Sequence, residues 1–199
     1  MHLADITIPD SAAARTALEV VSHFAPPALV QHCQRAYVFA AALGVIEGIG
    51  IDHELLYVAS MLHDIGLESA FDNVADPFED AGGHVAWVFT AGLGWDAERR
   101  DRAALIIVDH MNDDTDVAVD PEGFLLARAT SLDISGRSPE TWPSELLAET
   151  VQVFPRLDLA DRFTACFNDQ AVRKPDSQAA RAVRSGIAER MRANPLEAL

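Results

Sequence analysis

The sequence predicts an all-α fold, a single domain of about nine helices, on three observations. Apolar residues recur at helical spacing through most of the chain. Residues that start and stop helices bracket those stretches, and no segment of any length alternates apolar with polar side chains as a strand would. A chain of 199 residues has the size of one domain, since a single core grows to about 250 residues before chains usually divide. No internal repeat and no Gly/Ser linker marks a boundary, so residues 1–199 read as one unit.

Each element has its own warrant. Asp10 and Ser11 can cap a helix that runs toward Phe24. Pro26-Pro27 opens a second, in which Val30, Cys33, Tyr37, Ala40, Ala41 and Val45 share a side until Gly48 and Gly50 end it. Asp52 caps a third, with Glu54 favourably placed in its first turn and Leu55, Leu56, Ala59, Leu62 and Ile65 lining one side before Gly66. The pair His63-Asp64 thereby falls in its last turn. Residues 67–77 read as a loop. A fourth helix, Phe78 to about Gly92, contains Gly82-Gly83, which weakens a helix unless another backbone must approach closely there. Asp96 caps a fifth helix ending near His110, and Asp120-Pro121 opens a sixth that carries Asp133 and closes at Gly136. Segments 144–154, 159–171 and 177–192 complete the nine.

Composition excludes several function classes. With 49% hydrophobic and 23% charged residues the chain can build a sizeable core. Its 15 basic against 31 acidic side chains give −16, and every basic residue but Lys174 is an arginine, so no lysine-rich patch exists to track a phosphate backbone. Nucleic acid is not expected as a partner. The longest apolar run, Ala36 to Ile46, is about half of the roughly 20 residues that cross a bilayer, so no membrane span is expected. The N-terminus lacks the basic and apolar regions of a secretory signal, which leads to the expectation of a cytoplasmic protein. Cys33 and Cys166 form no CxxC and read as inert thiols in apolar helical contexts. A homo-oligomer is compatible with these features but not specified by them.

The chemistry lies in histidine and aspartate. Seven histidines and nineteen aspartates over 199 positions produce a His-Asp dipeptide about 0.7 times by chance, so the dipeptide alone proves little. Its context is informative: His63 follows the apolar stretch Val58 to Leu62 and precedes Gly66, at the inner end of a core-facing helix. Burying an unpaired aspartate costs several kcal/mol, whereas a divalent cation removes that cost and fixes the imidazole tautomer. His32, His110 and Asp133 each stand inside an apolar stretch of another helix and are further donors. Singly, a core histidine bonded to a carbonyl is the commoner case, and Asp133 could cap the turn at Gly136.

His32, then Met61-Leu62-His63-Asp64-Ile65-Gly66, then His110, then Asp133 resembles the HD superfamily of metal-dependent hydrolases, in which His, His-Asp and Asp ligands come from separate helices. The likeness covers residues 28–140. It extends to about 177, toward the cyanamide hydratase-like branch, through His32-Cys33-Gln34-Arg35, Pro77-Phe78-Glu79-Asp80-Ala81-Gly82-Gly83, Phe154-Pro155-Arg156 and Arg173-Lys174-Pro175; residues 177–199 are a helical extension. Two-metal members of the superfamily open the fourth helix with a histidine, and here that slot holds Phe78. His84 does not replace it, because six residues turn about 600°, or 240°, around a helix axis; it reads as a residue behind the site or on the surface.

The resemblance therefore implies one divalent metal ion, Zn²⁺ first and Fe²⁺ or Mn²⁺ as alternatives, held by His32, His63, Asp64 and Asp133, with His110 beside it or binding more weakly. It implies a hydratase or hydrolase in which metal-activated water adds to a small nitrile-like substrate such as cyanamide, with Asp64 or His110 moving the proton. Arg35 lies one turn from His32 and could hold an anionic substrate or pair with a core carboxylate. Glu79, in a first helical turn, is placed by the resemblance near the mouth of the site, and Phe71, Phe78, Trp87 and Trp95 could wall it. Other readings stay open: a phosphohydrolase drawing on Arg35, Arg128 or Arg137, a di-iron oxygenase disfavoured by Phe78, or a noncatalytic helical module.

Overall fold

Ten α-helices, α1 (Ala12–Phe24), α2 (Pro27–Glu47), α3 (His53–Leu62), α4 (Phe78–Gly92), α5 (Ala97–Asp109), α6 (Pro121–Ser135), α7 (Ser144–Val153), α8 (Leu159–Arg173), α9 (Gln178–Arg184) and α10 (Ile187–Arg192), follow one another among the described residues of a computed structural model. It describes residues 1–112 and 114–199, and there is no strand among them. The fold is all-α, with one helix more than the nine expected. The extra helix arises where the segment 177–192 breaks: Gly186 takes φ 79° between α9 and α10, a left-handed turn that side-chain-bearing residues rarely adopt. No helix among the described residues is long and apolar enough to cross a membrane.

The middle of the bundle is α2. Its first residue is Pro27, whose missing N–H costs nothing at that position, and it ends at Gly48 with φ 68°. Every residue from Arg35 to Gly44 is buried, so this helix is enclosed on all sides rather than amphipathic. It packs on α3 and α6, which are capped as the sequence predicts: Asp52 accepts from the Leu55 N–H at 3.0 Å, and Asp120 from the Gly123 N–H at 3.0 Å. One contiguous cluster of buried apolar side chains joins α1 through α10.

A second difference from expectation concerns the His63-Asp64 pair. Helix α3 ends at Leu62, so the pair lies just beyond it, with Asp64 at φ −105°, ψ 6°, before a 3₁₀ turn over Ile65–Leu67. The reason is the approach of α4. A Cβ on Gly66 would stand 2.0 Å from the Phe78 carbonyl oxygen, and one on Gly82 would stand 3.1 Å from the His63 carbonyl oxygen. The two glycines let the first turns of α4 lie against the backbone of the pair, and this contact replaces the last turn of α3.

Candidate metal centre

Three imidazoles meet one carboxylate at the centre of the bundle. His32 comes from α2, His63 and Asp64 from the break after α3, and His110 from the end of α5; all four are buried. Each ring is fixed through Nδ1. His63 Nδ1 donates to the Ser60 carbonyl oxygen at 2.7 Å, His110 Nδ1 donates to the Ile107 carbonyl oxygen at 2.6 Å, and His32 Nδ1 donates to Asp133 Oδ2 at 2.6 Å. A neutral imidazole protonated on Nδ1 has only a lone pair on Nε2. The three lone pairs converge: the Nε2 atoms of His32 and His63 lie 3.0 Å apart and 3.2 and 3.1 Å from Asp64 Oδ2, and His110 Nε2 lies 3.6 Å from Asp64 Oδ1.

Such a set of acceptors facing acceptors is stable only around a positive charge. Asp64 Oδ2 is buried and makes no hydrogen bond, leaving its position unsatisfied by the protein itself. Nitrogen and oxygen atoms of His32, His63 and Asp64 are close enough together to hold one metal ion, and the second-sphere partners on every Nδ1 are those a metal-binding histidine uses. The residues thus fit a divalent cation. Without one, protons do part of the work. Burial disfavours charge on His32, but its hydrogen bond to Asp133 and the nearby carboxylate of Asp64 outweigh burial and push its pKa up. Burial opposes ionisation of Asp64 too, yet the charge of His63 and the closeness of the His32 and His63 rings hold its carboxyl far below the usual carboxylate range. His110 goes the other way: burial and then the charge of His63 push it down to about 4, so it is neutral at pH 7.

Asp133 has a different place from the fourth-ligand role expected of it. Its Oδ2 accepts from His32 Nδ1 and from Arg35 Nη2 at 2.8 Å, and its Oδ1 accepts from Arg35 Nε at 2.9 Å and Arg156 Nη1 at 2.6 Å. Both oxygens are committed on the side of the His32 ring away from Asp64, and Asp133 stands outside the group of converging donors. Its function in the structure is to orient His32. Arg35, fully buried, is the partner of this carboxylate and also donates to the Phe154 and Pro155 carbonyl oxygens. Arg156 carries no expectation beyond its motif, yet it closes the cluster from the other side.

A pocket of about 140 Å³ opens above His32, His63, Asp64 and His110. Its walls are not the aromatics expected. Trp87 is exposed, Trp95 lies under Arg99 at 3.9 Å, and Phe71 stacks edge-on to Phe24. The pocket is walled instead by Phe163 and Phe167, one turn apart on α8, with the Phe163 ring 5.2 Å from that of His32. Phe163 and Phe167 were legible as an i, i+4 aromatic pair, although helical spacing alone does not separate a pocket wall from core. Phe78 is fully buried with its ring 5.8 Å from that of His110, filling space beside the centre. Glu79 is buried with Oε2 unpartnered but does not line the pocket, and His84 is exposed on the outer face of α4, away from the site. Arg128 faces solvent beside Phe124, whereas Arg137 borders the pocket. Burial pushes the thiols of Cys33 and Cys166 up, which leaves neither as a nucleophile. No protein-family model and no curated protein matches the chain.

Proposed function

We propose that the chain is an HD-type, metal-dependent hydrolase or hydratase of a small molecule, with its reaction centre on the floor of the pocket. The observation that carries this reading is the convergence of three Nε2 lone pairs on a buried carboxylate that receives no hydrogen bond on Oδ2. His32, His63 and Asp64 would hold the cation, and His110 stands close enough to Asp64 to join them or to act beside them. A donor set of nitrogen and oxygen without thiolate suits Zn²⁺ first, then Fe²⁺ or Mn²⁺. Such an ion supplies Lewis acidity, which in general brings the pKa of water down to about 7.

The chain's own groups supply the rest. His110 is neutral with Nδ1 committed to Ile107, so Nε2 is a base that can accept a proton from attacking water and return it to the product. Asp133 and Arg35 keep His32 from rotating, and Phe163 and Phe167 exclude bulk water from one wall. The motifs shared with the cyanamide hydratase-like branch support a nitrile-type carbon as the electrophile: addition of H₂O across C≡N yields an amide, or urea from cyanamide. Phe78, seated beside His110 where a second ion would need a histidine, favours a mononuclear centre over a di-iron one.

A second reading, hydrolysis of small phosphomonoesters, is favoured by Arg137 and Arg190 at the pocket's border. The test is metal analysis of the purified chain together with turnover of cyanamide and small nitriles against a panel of phosphomonoesters. One ion per chain and a hydration activity lost in His63→Ala support the proposal. Two irons per chain, or an ion-free protein in ample zinc, iron and manganese, overturns it.

A further inference from the structure

The pocket presents three kinds of surface. Its floor is the His/Asp group, its waist is apolar, with Phe163, Phe167 and Ile187, and its border carries Arg137 and Arg190. In a chain of net charge −16, Asp64 is the sole acid among the described residues lining this pocket. The two arginines are set differently. Arg137 follows the left-handed Gly136 and also borders a smaller pocket with Glu47. Arg190 lies one turn after Ile187 on α10, brought to the pocket by the Gly186 turn. Its guanidinium donates to the carbonyl and hydroxyl oxygens of Ser185, both neutral, and it forms no ion pair among the described residues. The Ser185 contacts hold the side chain in place without cancelling its charge.

We propose that Arg190 is a specificity-determining residue that recognises an anionic headgroup, a carboxylate or a phosphate-type group, on a substrate with a small apolar body. This deepens the function proposed above and rests on its identification of the pocket as the reaction site. A guanidinium engages either headgroup through two parallel N–H donors. The distant acids of the chain do not prevent it: their repulsion is screened within about 8 Å at physiological ionic strength, whereas an uncancelled cation at the mouth of an apolar pocket acts at contact range. Cyanamide itself, small and neutral, would leave this charge without a use.

The experiment is calorimetric titration of the full chain, both metal-free and zinc-loaded, with phenylacetate, phenylphosphonate and the neutral phenylacetamide. The anions are expected to bind about tenfold more tightly than the amide in the metal-free protein, where no ion can coordinate them. Arg190→Gln should remove that preference while leaving amide binding unchanged, and Arg190→Lys should keep most of it. Whichever anion gains more identifies the headgroup, and either supports the proposal. Equal binding of amide and anions by the metal-free wild type, a preference that survives Arg190→Gln, or no binding of any of the three overturns it. Metal content, measured on the same samples, reports separately on the reading of the floor: a chain that takes up no ion but keeps the Arg190-dependent preference refutes the metal centre and leaves the anion site standing.

Discussion

Asp64 and Asp133 are both buried, and both face the same imidazole, His32, one from each side. Their surroundings are opposite. Asp133 has two arginines and a histidine donating to its oxygens, and its ionised form is complete. Asp64 has three imidazole nitrogens around it and no donor on Oδ2. A buried carboxylate whose oxygens all receive hydrogen bonds belongs to the scaffold; one surrounded by lone pairs is arranged for something that carries positive charge.

The largest effect is expected at Asp133. Asp133→Ala leaves Arg35 buried without its anion and Arg156 with Glu197 alone, and unfolding in urea should show a loss of about 3–5 kcal/mol in metal-free protein. Asp64→Asn should do the reverse. Its amide can donate to an Nε2 atom, so metal-free stability should change by less than about 1 kcal/mol. Zinc affinity should fall by more than about 100-fold, and the stabilisation of about 2.7 kcal/mol expected at a hundredfold excess over Kd should vanish from melting curves taken with and without zinc. Equal destabilisation by the two substitutions in metal-free protein would erase the distinction.

Glu79 sharpens it. This buried carboxylate also has an unpartnered oxygen, but no imidazole cluster surrounds it, and burial pushes its pKa up to about 7. The folded state therefore holds the proton more tightly than the unfolded chain, whose carboxyl titrates near 4.5. Stability of the metal-free protein should fall as pH rises from about 4.5 to 7, by on the order of 2 kcal/mol, and Glu79→Gln should remove that slope from urea titrations across the range. The smallest effect belongs to an exposed pair: Asp158→Ala, opposite Arg162 at 2.8 Å, should cost less than about 0.5 kcal/mol in the same assay.

Much of the fold was legible because its punctuation is local. Asp52, Pro27, Gly48, Asp120 and Gly136 act on the turn they stand in, and the helices they bound are those expected. What escaped was set by contacts distant in sequence. The shortening of α3 before His63 depends on α4 meeting Gly66 and, through Gly82, the His63 backbone, and Gly82-Gly83 announced a close approach without naming the neighbour. In the site, His32, His63, Asp64 and His110 were identifiable as donors in apolar stretches, and the structure brings them together. The place of Asp133 was not identifiable, because it depends on Arg35 and Arg156 reaching it from residues 98 and 23 positions away. The pocket wall at Phe163 and Phe167, like the rim at Arg190, lies in helices whose pattern shows only that one face is buried.

Behind Asp133, residues 194–197 do unexpected structural work. Asn194 Nδ2 donates to the carbonyl oxygens of Leu132 and Asp133 at 3.1 and 2.8 Å, Glu197 accepts from Arg156 at 2.7 Å, and the ring of Pro195 abuts Gly136. Residues 194–197 thus brace the carboxylate that braces His32. A substitution that removes these contacts, Asn194→Ala for one, would loosen an imidazole at the centre of the protein without approaching it.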